Sequence, residues 1–96
     1  MSDRKLYRQK KQAELDKWQA ELDKLKAKAS SASADAQLEM NKRIEALEGK
    51  IEEGKTKLSA LAEANDDAWE RFKDEIEATW TSLQSAFSDA AAKFKG

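Results

Sequence analysis

The chain has 96 residues, enough for one small helical domain but too few for two independent hydrophobic cores. Apolar residues make up 40% and charged residues 39%, with no proline and three glycines, a composition typical of long helices and coiled coils. Histidine and cysteine are both absent, which excludes disulfides, thiolate nucleophiles, imidazole bases and ordinary zinc sites. We therefore expect one all-α coiled-coil domain over residues 1–96, with no cofactor and no catalytic or metal-binding residues.

Charge is unevenly distributed along the chain, although the net charge is only −1. Residues 1–29 carry nine Lys/Arg and five Asp/Glu, whereas residues 65–96 carry four and seven. The two ends can therefore attract one another or a neighbouring copy. Because the N-terminal stretch lacks the apolar core of a signal peptide and no apolar run reaches about 18 residues, we expect a soluble, cytoplasmic protein.

The first predicted helix carries an apolar stripe with alternating steps of three and four residues, the a/d pattern of a coiled coil. Its members are Leu15, Trp18, Leu22, Leu25, Ala29, Ala32 and Ala36. Upstream, the same register meets Arg8 and Lys11. We therefore expect the start of this helix to fray or to lie outside the main core.

The stripe resumes after two consecutive steps of four residues. It continues through Met40, Ile44, Leu47, Ile51, Gly54, Leu58 and Leu61. Such a stutter unwinds a coiled coil locally without ending the helix. Residues 30–35 are rich in serine, which can cap a helix, but they lack the Gly, Pro or Asn that most sharp turns use. We favour continuous helix here, with a turn as the alternative.

A helix break is predicted near residues 65–67, because Asp67 and Glu70 have the spacing of an N-terminal capping arrangement. The stripe that follows has steps of 3, 4 and 4, which indicate an eleven-residue repeat. It includes Ala91 and is the most aromatic surface of the chain. The aromatic face, as we call it, consists of Trp69, Phe72, Ile76, Trp80, Leu83, Phe87 and Phe94.

The favoured architecture is an extended coiled-coil helical hairpin. A long helix over about 4–64 precedes the break, and a second helix over about 67–94 folds back on its second half. Aromatic-face residues then oppose glycines, with Trp80 near Gly49 and Ile76 near Gly54. In this hairpin one group of residues has no partner within the chain, and we predict that it forms an intermolecular interaction seam. The seam consists of Leu15, Trp18, Leu22 and Leu25.

The alternative architecture is an antiparallel three-helix bundle with a turn in residues 30–35. The first and third helices are then parallel, and Trp18 and Trp80 lie at similar heights. Such a bundle needs no partner. Its weak point is the small core area that Ala29, Ala32 and Ala36 offer.

Two acidic rows are the nearest approach to a chemical site. They are Glu45, Glu48 and Glu52, and Glu70, Asp74 and Glu77. Carboxylate metal sites in helical bundles normally use a Glu-x-x-His motif, and this chain has no histidine. We interpret both rows as solvated helix faces with Lys or Arg nearby. Asn65, Asp66, Asp67 and Glu70 lack the ligand spacing of a calcium loop, so we interpret them as a helix cap.

A basic run lies near the N-terminus and surrounds Tyr7. It consists of Arg4, Lys5, Arg8, Lys10 and Lys11. Phosphate groups of nucleic acid or anionic lipid attract such a run. Because the run is short and the remainder of the chain is net acidic, we favour pairing with the acidic C-terminal helix, or solvation, over nucleic-acid binding.

The segments YRQKKQAELDKWQAELDKLKAKA and DAWERFKDEIEATWTSLQSAFSDAAAKF together resemble a widespread set of small bacterial proteins described as coiled-coil domain-containing. That family has no established activity, so the resemblance implies a fold and no site residues. Through AWERF and AF…KF, the second segment is also similar to phasins, amphipathic helical proteins that coat storage granules.

The resulting functional expectation is a non-enzymatic structural or protein-interaction coiled-coil protein. It would act as a homo-oligomer or scaffold through the interaction seam, with another protein as a further candidate partner. The alternative is an amphipathic helical protein that coats a lipid or storage-granule surface. In that case the aromatic face, and above all Phe87 and Phe94, would contact the surface.

Overall fold

The computed structural model describes residues 2–94, so Met1, Lys95 and Gly96 of the predicted domain lie outside it. The described chain forms three helices and no strand: α1 (Ser2–Ser30), α2 (Ala34–Ala62) and α3 (Asp66–Phe94). Each helix has 29 residues, which corresponds to about 43 Å of length. They form a rod of 51 × 18 × 18 Å. The all-α class is confirmed, and the arrangement fits the three-helix alternative.

The continuous helix that we favoured over 4–64 is interrupted at residues 31–33. Ser30 and Ser31 donate their hydroxyls to the carbonyl of Ala27, at 2.8 and 3.4 Å. Ser33 caps α2 by accepting the amide of Ala36. Serine side chains that bond the local backbone compete with helical hydrogen bonds. No described residue has a positive φ, so this turn needs none of the glycine or asparagine whose absence argued against it.

The break predicted near residues 65–67 is present and separates α2 from α3. Asn65 is the capping side chain, because its Oδ1 accepts the amide of Ala68 at 2.9 Å. Asp66 and Asp67 follow in the first turn, where negative charge suits the helix dipole. The predicted role of Asp67 as the cap is therefore corrected to Asn65.

The helices alternate in direction, so α1 and α3 are parallel to each other and antiparallel to α2. Contacts between α1 and α3 advance together along the chain, from Arg4 with Asp66 to Trp18 with Trp80. The ring centroids of Trp18 and Trp80 lie 6.0 Å apart. The stripe predicted on α2 is its buried face from Ile44 onward. All three helices supply the fully buried side chains, which are Leu15, Leu22, Ile51, Leu61, Ile76 and Leu83.

The buried positions of α3 follow a heptad rather than the predicted eleven-residue repeat. From Ile76 the buried apolar positions are spaced in steps of four and three: Ile76, Trp80, Leu83, Phe87, Ala90 and Phe94. Thr79 is buried beside them. The position between Trp69 and Ile76 is the half-buried Lys73, whose Nζ lies 5.4 Å from the ring centroid of Tyr7. Phe72 is only half-buried and Ala91 is exposed. These two residues flank the buried stripe, and counting them as members produced the longer repeat.

The two internal glycines differ in their surroundings. A Cβ placed on Gly54 would lie 3.1 Å from a methyl of Leu15 and 3.3 Å from the indole of Trp80. A Cβ placed on Gly49 would meet nothing within 4 Å. The expected opposition of glycine and tryptophan therefore exists at Gly54, and the predicted pairing of Trp80 with Gly49 is wrong.

Candidate functional site

The start of α1 is helical, contrary to our expectation of fraying, and Lys11 is the buried residue among residues 3–12. Lys11 occupies a core position of the heptad and is 7% exposed. Its Nζ lies 3.0 Å from the carboxylate of Glu77 on α3 and 3.5 Å from that of Glu14. The same nitrogen lies 5.4 Å from the ring centroid of Tyr7 and 5.6 Å from that of Trp80. The two carboxylates give the buried ammonium the partners without which its burial would be strongly destabilising.

Tyr7 completes this polar cluster, which we define as Tyr7, Lys11, Glu14 and Glu77. The hydroxyl of Tyr7 donates to the carboxylate of Glu77. Burial, assisted by that hydrogen bond and nearby carboxylates, raises the pKa of the Tyr7 phenol above its ordinary value. The hydrogen bonds from Tyr7 and Lys11 lower the pKa of Glu77, although its desolvation opposes this. The cluster joins α1 to α3, and the Glu14 oxygen nearest Lys11 is buried without a hydrogen-bond partner among the described residues.

A cleft of about 320 Å³ opens between α1 and α3 beside the polar cluster. Trp18 and Trp80 line it together with Lys11 and Glu77. The indole nitrogen of Trp80 has no hydrogen-bond partner among the described residues, but it is shielded from solvent. A molecule in the cleft therefore cannot reach this donor in the present arrangement. We do not treat the cleft as a binding site.

The groove between α1 and α2 is a better candidate for a binding surface than the cleft between α1 and α3. Ile44, Ile51 and Leu58 line it at seven-residue intervals. At the end where α1 begins and α2 finishes, a depression of about 530 Å³ is lined by three cations and no carboxylate. These cations are Lys5, Arg8 and Lys55. This end of the groove therefore has a positive lining.

Arg8 distinguishes this end from an ordinary solvated surface. It is half-buried and forms no ion pair with any carboxylate of residues 3–94. By contrast, Arg4 pairs with Asp66 at 2.9 Å, and Lys11 pairs with Glu77. Lys55 has only a long contact of 3.7 Å with Glu52. Within the basic run, Arg4 and Lys11 thus form ion pairs with α3, whereas Lys5 and Arg8 face the groove.

The rest of the same groove is lined mainly by acids. Glu48 and Glu52 lie at its middle, and Glu45 lies towards the other end. Lys26 bonds Glu48 at 2.8 Å and neutralises one of these three charges. The α1/α2 face, as we call the surface formed by this groove and its edges, is therefore positive at the end lined by Lys5 and Arg8, whereas the remainder carries three glutamates, of which Glu48 pairs with Lys26 and Glu52 lies 3.7 Å from Lys55.

Two exposed leucines lie near opposite ends of the α1/α2 face. Leu6 is 60% exposed on α1 at the end that carries Lys5, but it lies about 100° around the helix from Lys5 and lines no part of the groove. Leu38 is 65% exposed and precedes Glu45 by seven residues, which places it on the same side of α2. Large exposed apolar side chains near the ends of a charged groove are typical of an interaction surface rather than a catalytic one.

The interaction seam predicted on α1 lies inside the bundle. Leu15, Leu22 and Leu25 are 1%, 1% and 8% exposed. Trp18 is half-buried and stacks on Phe87, with ring centroids 6.1 Å apart and planes 9° apart. The seam therefore has its partners within the chain. This removes the reason for which we expected it to be intermolecular.

The aromatic face is likewise directed into the bundle. Apart from the half-buried Phe72, all of its members are buried: Trp69, Ile76, Trp80, Leu83, Phe87 and Phe94. Arg4 additionally covers Trp69, with its guanidinium carbon 4.6 Å from the ring centroid. A lipid or granule surface can contact this face only if α3 leaves the bundle.

The acidic clusters are not arranged as metal sites. Within residues 2–94 no group of three or more Asp or Glu side chains converges in a way that could hold a metal ion. Glu75 of α3 instead pairs with Lys57 of α2 at 3.3 Å. Carboxylates of both acidic rows thus pair with lysines of neighbouring helices, as Glu48 does with Lys26 and Glu77 with Lys11.

Sequence reasoning did not identify the groove cations as a group, because Lys55 lies far from Lys5 and Arg8 along the chain. One signal was present, since Arg8 interrupts the heptad at a position that otherwise faces the core. No model of a known protein family, no curated protein and no solved structure matches this chain. None of the helices within residues 2–94 is long and apolar enough to cross a membrane.

Proposed function

We propose that this chain is a non-enzymatic structural protein that acts by associating with another protein chain, copies of itself included. The observation that carries the proposal is the charge separation on the α1/α2 face, where the half-buried Arg8 has no carboxylate partner. A cation held in this way is satisfied when a partner brings an acid to it. The interaction seam and the aromatic face are not available for this association, because both pack inside the bundle.

The proposed association surface differs from the one that the sequence suggested. Association through the interaction seam would require α1 to leave the bundle and expose Leu15 and Leu22, which are almost completely buried. Association through the α1/α2 face leaves the fold intact. Coating of a lipid or granule surface through the aromatic face would require a similar opening at α3.

Sedimentation equilibrium over a range of protein concentrations up to about 500 μM, at about 50 mM NaCl, tests this function, since low salt preserves electrostatic contacts. We expect a mass above the 10.8 kDa of one chain at the upper concentrations. The mass should decrease as salt is added. A single-chain mass throughout would contradict association between copies.

A further inference from the structure

The two ends of the α1/α2 face are complementary in charge to each other. One end presents Lys5, Arg8 and Lys55 without a carboxylate in its lining. The rest presents three glutamates, of which Glu48 is neutralised by Lys26. A surface of this kind attracts a copy of itself, provided that the copy is turned end for end.

Two-fold symmetry allows this face to pair with itself in two ways. If the axis runs along the helices, equal ends meet, and Arg8 approaches the Arg8 of the partner, which like-charge repulsion disfavours. If the axis crosses the helices in the plane of the contact, the ends are exchanged. The positive end of each copy then meets the acidic part of the other, so charge selects the second arrangement.

The exposed leucines agree with the same arrangement. Leu6 and Leu38 lie near opposite ends of the bundle. In the dimer with exchanged ends, Leu6 of one copy therefore lies at the same level along the helices as Leu38 of the other copy. Each of these side chains is more than half exposed in the single chain, and covering them contributes favourable apolar burial.

The dimensions of the face are sufficient for a specific contact. The bundle is 51 Å long and 18 Å wide, so a pair of these faces can bury the area of about 1,000 Å² that a specific interface requires. Because the groove floor is formed by Ile44, Ile51 and Leu58, which are already at most 7% exposed, little apolar area remains to be gained there. The contact therefore depends mainly on charge, and it should be weak and sensitive to salt.

We propose that the partner of the α1/α2 face is a second copy of this chain, bound end for end about a two-fold axis that crosses the helices. This inference rests on the proposed function and specifies its partner. In the dimer, the positive end of each copy lies at the level of the glutamates of the other. The two α1 helices lie antiparallel, as do the two α2 helices.

Charge-reversal variants test this arrangement, with circular dichroism as the check on folding. The first variant, K5E/K55E, reverses two of the three cations at the positive end, and the second, E45K/E52K, reverses two of the three glutamates. Lys26 and Glu48 are left in place so that their ion pair persists. The matched control, K10E/K42E, changes two exposed lysines that do not line the groove and belong to none of the ion pairs above.

We expect either face variant to raise the dimer dissociation constant by about tenfold or more, and the control to change it by less than about threefold. A mixture of the two face variants should form a heterodimer more tightly than either variant associates alone. The quadruple variant, K5E/K55E/E45K/E52K, should recover association, because both ends are exchanged together. These outcomes together support the end-for-end dimer.

Different results identify which proposal fails. If the unaltered chain is a monomer at every concentration, association between copies fails, and this inference fails with it. If the unaltered chain associates but K5E/K55E associates equally well, the end-for-end arrangement alone is overturned. If K10E/K42E weakens association as much as the face variants do, the end-for-end arrangement is also overturned, because net charge rather than the α1/α2 face then controls association.

Discussion

Replacing each internal glycine of α2 with alanine tests how closely the three helices approach. Alanine relieves the helix-interior penalty of glycine, which is about 1 kcal/mol. Gly49 is exposed and a Cβ there meets nothing within 4 Å, so G49A should keep this gain. We expect G49A to stabilise the bundle by about 0.5–1 kcal/mol.

At Gly54 the same gain is opposed by crowding. The added Cβ would lie 3.1 Å from Cδ2 of Leu15 and 3.3 Å from Cη2 and Cζ3 of Trp80. Leu15 is 1% exposed and Trp80 is 5% exposed, so neither side chain has free space into which it can move. Overpacking of a core costs about 1–3 kcal/mol. The net effect of G54A should therefore lie between neutral and about 2 kcal/mol of destabilisation.

Urea and thermal unfolding of the two variants measure this difference directly. For a domain of this size, about 1 kcal/mol shifts Tm by about 4–8 °C, so the two variants should be well separated. The close approach would be refuted if G54A stabilised the bundle as much as G49A. Adding W80F to G54A should recover part of the loss, because the smaller ring withdraws from the new methyl group.

Three further predictions concern the core and the polar cluster. L22A should lower the free energy of unfolding by about 2–5 kcal/mol in urea titrations while leaving the sedimentation mass unchanged; a lower mass at unchanged stability would restore the intermolecular seam. K11M should be less stable than the unaltered chain by about 1–3 kcal/mol, because the Glu14 Oε1 that faces Lys11 is shielded from solvent and is left without a partner, and K11E should be less stable still. The free energy of unfolding should fall at both pH extremes. At acid pH the cause is Glu77, whose pKa is lower in the folded chain than in the unfolded one. The resulting stabilisation is complete above the ordinary carboxyl pKa of about 4.3 and is lost as pH falls through the folded-state value. The raised pKa of Tyr7 provides stabilisation that is full below about pH 10 and lost above it. Urea titrations across pH should show a flatter acid limb for E77Q and a flatter alkaline limb for Y7F, and unchanged limbs would contradict both assignments.

The apolar periodicity predicted most of the core, because burial depends on spacing that is visible in one helix at a time. The α2 stripe from Ile44 to Leu61 was identified in this way. The similar heights of Trp18 and Trp80 followed from helix lengths in the three-helix alternative, and their ring centroids lie 6.0 Å apart. The presence of that turn could not be deduced, because its serines form it with ordinary backbone angles.

The prediction of where the core begins on α1 failed mainly because polar side chains occupy core positions of its heptad. We interpreted Lys11 as the edge of the core, because a lysine at a heptad core position usually lowers the stability of a coiled coil. Its acceptability depends on Glu77, which lies 66 positions later, and on the ring of Tyr7 beside it. Spacing within α1 cannot reveal a partner that folding brings from α3.

Arg8 and Lys11 occupy successive core positions of the same heptad, yet their surroundings differ. Lys11 has two carboxylate partners within the chain, Glu14 on its own helix and Glu77 on α3. Arg8 has no such partner, because it lies on the side of α1 that faces α2, where the lining at that level contains Lys5 and Lys55 instead of acids. Lys11 thus links α1 to α3, whereas Arg8 remains a half-buried cation without a carboxylate partner within residues 3–94, and our proposal that the α1/α2 face associates with a second chain rests on it.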